Sequence, residues 1–118
     1  MITLQRFEHE VCLDLPWHAR MLAGRQRTGQ VVRCALRVAP ERWAYSPQGR
    51  AVLLKDTRAR VRQQVGNPIW LVILLQVVVP IVVELIWRWW ENRLEEIGAN
   101  SAQDELWSLH REAERTQP

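Results

Sequence analysis

Gln76, Pro80, Glu84 and Arg88 recur every four residues inside the most apolar part of the chain. On a helix this spacing places them along one slowly drifting face. The chemistry they offer is recognition away from water. The Gln76 amide can hydrogen-bond across a helix–helix interface. Pro80 has no N–H to give the Gln76 carbonyl, so that oxygen is freed on the same side and a kink is favoured. Glu84 and Arg88 form an i,i+4 pair in the favourable order, which partly neutralises the carboxylate within its own helix. Three readings follow. The face meets another helix, most simply that of a second copy. It lines a small pore through Gln76 and Glu84. Or Glu84 lies near a membrane interface and snorkels with Arg88, while Gln76 is tolerated alone. The stretch has no small-xxx-small motif, which removes the closest-packing route to a dimer.

Other residue types capable of chemistry are scattered. His9 lies between Glu8 and Glu10, an arrangement that brings no second ligand or base to the imidazole. His18 and His110 read as isolated, with no second His or Cys at i+3 or i+4. Cys12 and Cys34 belong to no motif, and no further ligand sits at metal spacing. A cytosolic location keeps both thiols reduced, and an oxidising one leaves their pairing open. No nucleophile elbow and no Gly-rich phosphate loop is present. The reading is therefore of a non-enzyme with no metal and no cofactor.

The stretch 50–62, RAVLLKDTRARVR, concentrates Arg50, Lys55, Arg58, Arg60 and Arg62. Beside a membrane span such a cluster contacts anionic lipid head groups, at about 1 kcal/mol per charge near the surface. With Arg25, Arg27, Arg33 and Arg37 it would instead form a nucleic-acid patch. No aromatic-interleaved motif accompanies it, so nucleic acid is not an expected partner. The plainest reading is a topology signal on a solvated helix face.

The element that must position the central stripe is Ile69 to Trp90, IWLVILLQVVVPIVVELIWRWW. From Ile69 to Ile86 it holds fifteen Leu, Ile, Val or Trp residues. A run of about 18 apolar residues is a candidate transmembrane helix. At about −0.4 kcal/mol per apolar residue the run contributes roughly −6 kcal/mol on the insertion scale, against about +2.5 to +3.5 for a charge at the helix centre. Glu84 is off-centre and costs less. Trp70 on one side and Trp87, Trp89 and Trp90 on the other read as membrane-interface anchors, about 26 Å apart along a helix. Asn67-Pro68 supplies a cap-plus-proline start. A helix from Pro68 to Ile97 is about 45 Å long, enough to cross a core of about 30 Å and continue as a polar stalk.

Around this element the expectations are as follows. Residues 2–15 read as a weak strand, 16–23 as a short helix and 24–29 as a basic loop. Val31 to Val38 reads as the best strand. Residues 47–65 read as a helix with Leu54, Val61 and Val65 on one face, and 102–115 as a helix with Leu106, Leu109, His110 and Ala113 on one side. The fold class is thus mainly α: a single-pass transmembrane helix preceded by a small α+β or irregular basic region. Residues 1–64 form that basic region, 68–97 the span and stalk, and 98–118 a short acidic amphipathic tail.

Charge is divided in the same way. Residues 1–64 hold twelve Arg and Lys against five acids, and 88–118 hold four Arg against seven acids. The N-terminus lacks the basic-then-apolar pattern of a cleaved secretory signal. Five cations flank the span on its N-terminal side, and Arg88 and Arg93 flank the other. The positive-inside rule then places the N-terminus in the cytoplasm. The functional expectation is a small single-pass membrane protein with a structural, anchoring or interaction role. Its partners are the bilayer, anionic head groups and a second copy of itself. The alternatives are a holin-like or small-toxin permeabilising protein, revealed by loss of membrane potential on expression, and a soluble basic nucleic-acid-binding module.

Overall fold

Thr3 opens the first helix, its hydroxyl accepting from the Arg6 amide at 3.2 Å. In the computed structural model, which describes residues 2–116, helix α1 then spans Leu4–Asp14. Residues 1 and 117–118, the ends of the expected N-terminal region and acidic tail, lie outside the described residues. The alternation of Val11, Leu13 and Leu15 does not make a strand. The pattern that wins is Leu4, Phe7, Val11 and Leu15, buried at helical spacing, while Leu13 is left exposed.

Helix α2 spans Trp17–Arg37, with a break at Gly24 (φ 70°, ψ 178°). The basic stretch 24–29 is therefore helical after one glycine, and Val31–Val38 is not a strand. Val31, Val32, Cys34, Ala35 and Leu36 are all buried. A helix enclosed on nearly every side has no polar face, so its sequence alternates as well as a strand would. Tertiary burial overrides the weak β preference of its valines. A four-residue turn α3, Pro40–Trp43, leads to α4, Gly49–Gln64, whose Leu53, Thr57 and Val61 face inward. The inward face is one residue round from the expected one, since Leu53 rather than Leu54 is fully buried.

Asn67 caps α5, Pro68–Ile73, through bonds from Ile69 and Trp70 amides at 3.0 and 3.4 Å. The helix then widens into a π turn, Leu74–Val78, in which the Val79 amide donates to the Leu74 carbonyl. The widening directly precedes Pro80, whose ring cannot follow an unperturbed α turn. Helix α6 continues from Val79 to Arg115 with a reversal at Gly98 (φ 82°, ψ 164°). Both glycines sit in a backbone region open essentially to glycine alone. After Gly98 the chain returns along itself: Glu105 pairs with Arg93 and Glu112 reaches Leu4.

The described residues contain no strand. The region before the apolar helix is helical, so the expected α+β or irregular character is corrected. The radius of gyration is 13.4 Å, about the 13.5 Å of a globular chain this long. One core unites all the helices. Among the described residues, one helix is long and apolar enough to cross a membrane, and it lies in the continuous stretch Pro68–Arg115.

Candidate membrane-facing site

The apolar helix has two faces of different character. Leu74, Val78, Val79, Val82, Val83, Ile86 and Trp90 point inward and are no more than 2 % exposed. They pack on α1, α2 and α4. The outward positions are apolar as well: Ile69 is 72 % exposed and Val72 52 %, and Leu71, Leu75, Val77, Ile81 and Leu85 are half-buried. A helix of a water-facing bundle normally turns polar residues to that side.

Three members of the four-residue stripe are brought together. Pro80, Glu84 and Arg88 line a cleft of about 430 Å³ with Asp14, Pro16, Ile81 and Leu85. Glu84 is held by Arg88 at 3.4 Å and by Arg50 of α4 at 3.0 Å. The second of these pairs was not foreseen, because nothing local marks a contact across 34 positions. Gln76 is exposed and does not line the cleft.

Each of the four terminal tryptophans has a partner within the chain. Arg27 lies 3.6 Å from the Trp70 ring centroid, a cation–π contact. Trp89 meets Phe7 edge-on at 5.0 Å. Trp87 leans on Trp43 at 6.0 Å. Trp90 packs near Trp43 and Tyr45, and its indole N–H donates to the Ala44 carbonyl at 3.2 Å. Gly49 makes this cluster possible, for a Cβ there would collide with the Trp43 carbonyl and the Trp87 ring.

No family model, curated protein or solved structure matches this chain. The site must be read from its own residues.

Of the basic cluster, Arg50 is committed to Glu84, Lys55 and Arg62 are exposed, and Arg58 and Arg60 are half-buried. Arg60 lines a shallow cleft with Arg42 and Asp56, themselves paired at 2.9 Å. Among the described residues no three His, Cys, Asp or Glu side chains converge as a metal site would require. Cys34 is buried, its thiol donating to Gln64 Oε1 at 3.3 Å, and burial pushes its pKa up. Cys12 and Cys34 are both free thiols.

Nothing local in the residues signals the reciprocal locks between the two ends of the chain. Glu112 accepts from the Leu4 amide at 2.6 Å, placing a carboxylate at the positive end of α1. Arg37, buried, donates to the carbonyls of Ala113 at 2.9 Å and Thr116 at 2.5 Å, which closes the end of α6. His110 Nδ1 lies 2.8 Å from the Leu36 carbonyl and donates to it. Also unforeseen is a set of exposed large side chains at the α1–α2 corner, Leu13, Trp17, Met21 and Leu22. Their signal was present in the i,i+4 spacing of Leu13, Trp17 and Met21, hidden by the intervening Pro16.

Proposed function

We propose that this chain is a small membrane-associated protein with a structural, anchoring or interaction role, held at the bilayer by Ile69–Trp90. The observation that supports this most is the uncovered outer face of that helix. Only 33 % of its most apolar 18-residue window is buried, although other helices pack beside it. Covering that face with lipid removes apolar area from water at about 25 cal/mol per Å².

In the spanning form, Pro68–Ile97 crosses the bilayer with the N-terminus in the cytoplasm and the acidic tail outside. Helix α4 cannot accompany it to bilayer depth. Its five cations would each cost about 2.5 to 3.5 kcal/mol at the centre. Spanning therefore requires α4 to part from the apolar helix, and the Gln76–Pro80–Glu84–Arg88 face then becomes free to meet a second copy.

A second reading draws on the seven buried inward residues. It makes the chain a water-soluble helical module whose outer face is covered by another protein. Fractionation separates the two. Retention through a carbonate wash with release by detergent is the expected result. Release by carbonate overturns the spanning form. Recovery in the soluble fraction without detergent overturns membrane association and favours the second reading.

A further inference from the structure

The α1–α2 corner carries apolar surface beyond that of the apolar helix. Leu13 is 55 % exposed, Trp17 68 % and Met21 76 %. Trp17 and Met21 lie one turn apart on the same face of the short arm that ends at Gly24. The opposite face of that arm holds it in place through Ala19 and Ala23, both buried. Small residues thus fix the arm, and its largest side chains project into solvent. Single exposed apolar residues are ordinary. Three large ones on one short segment, beside an uncovered apolar helix, are a concentration of the kind that marks an interaction site.

Two contacts place the corner against that helix. Pro16 lines the cleft with Pro80, Ile81 and Leu85. Arg27 lies on Trp70. The segment between Pro16 and Arg27 therefore runs beside the first half of the apolar helix, and the two outward faces adjoin.

Charge indicates which partner suits this surface. Arg20 is exposed on the arm, and Arg25 is exposed just past its end at Gly24. Arg25 lies 2.8 Å from His9 Nδ1 and shares a cleft with Glu8, whose carboxylate is paired with Arg33. Asp14, exposed beside Leu13, lines the cleft together with Arg88, and Glu84 is neutralised by Arg50 and Arg88. An exposed Trp and Met with arginines beside them match the boundary between acyl chains and anionic head groups. None of the three side chains lines the cleft at Pro16, and large exposed side chains outside a cleft suit a deformable lipid surface better than a folded protein.

We infer that Leu13, Trp17 and Met21 form a wedge by which the folded bundle docks on an anionic bilayer before the apolar helix enters it. This rests on the membrane reading above. The test uses the full chain with Met21→Cys and Cys12→Ser, labelled with an environment-sensitive fluorophore. Cys34 is buried and does not compete for the label. Vesicles are equal parts phosphatidylglycerol and phosphatidylcholine, with pure phosphatidylcholine as the neutral arm.

The expected result is flotation with the anionic vesicles, a blue-shifted emission and quenching by brominated lipid. The double variant Trp17→Asp, Met21→Asp then binds about tenfold more weakly or worse, with unchanged helicity by circular dichroism. Flotation with a water-like emission overturns the wedge and leaves the membrane reading standing. Failure to float with either vesicle overturns both. Equal affinity of the double variant, or equal binding to neutral vesicles, overturns the docking role of the corner. A blue shift that grows with protein concentration without vesicles shows that a second copy covers the corner, and overturns it too.

Discussion

Gly49 is the residue on which the aromatic cluster depends. Its own backbone is ordinary, but a Cβ would strike a backbone carbonyl of Trp43 and the ring of Trp87. A carbonyl inside a short turn cannot swing aside as a flexible side chain can. Gly49→Ala is expected to cost about 1–3 kcal/mol, the range for overpacking, measured as a lower urea midpoint. Glu8 makes a different kind of residue-scale prediction. Burial raises its pKa, and its ion pair with Arg33 at 2.9 Å only partly offsets this. An acid whose folded pKa is raised adds stability below its unfolded pKa and loses it as pH rises through the folded one. Acidifying from neutral pH towards the ordinary carboxylate range should therefore stabilise the wild type relative to Glu8→Gln. Denaturation of both proteins at two pH values reads the difference directly. A gap that widens in the opposite direction would show that Arg33 outweighs burial.

At the scale of elements, the reversal at Gly98 defines the C-terminal half. No side chain lies near enough to oppose a Cβ there, so the demand is purely one of backbone conformation. Gly98→Ala should destabilise by about 1–3 kcal/mol. Gly66→Ala, at an open position without positive φ, should shift stability by less than about 1 kcal/mol. Equal effects of the two would remove the strain argument. The same elements show what could be read from sequence. The start at Asn67-Pro68 and the extent of α4 were legible, because caps, prolines and glycines act within a few residues. The helical state of residues 4–14 and 31–37 was not. Val32, Cys34 and Leu36 alternate with residues of mixed character, and only the helices packed around them decide which periodicity is realised. The stripe at 76–88 was legible as a helix face, but its Arg50 partner and the Pro16 wall came from distant segments. The exposed corner was not legible, because Pro16 divides its spacing and nothing local indicated that it stays uncovered.

At the scale of the whole molecule, the membrane role proposed above makes a compact basic bundle and a bilayer-spanning helix two states of one chain. In the folded state α4 runs against the apolar helix, with Gly49 at Trp87 and Arg50 bonded to Glu84 at 3.0 Å. The proposed spanning state would break that contact, because α4 carries too much charge to follow. The exchange gives up the packing of Leu53 and Val61 on the inward face, and it gains lipid around every side of the run. The locks at the chain ends, Glu112 on Leu4 and Arg37 on Ala113, favour the folded state and do not involve the apolar helix directly. A tether between α4 and α6 should therefore separate docking from insertion. In an Arg50→Cys, Glu84→Cys protein lacking Cys12, a short bis-maleimide can bridge the two positions without disturbing the buried core. The tethered protein is expected to float with anionic vesicles and yet be released by carbonate, whereas the untethered one resists the wash. Carbonate resistance in both would mean that the helix needs no opening to hold its place in the bilayer. The two-state account would then give way to one in which the bundle sits in the membrane with its outer face alone in lipid.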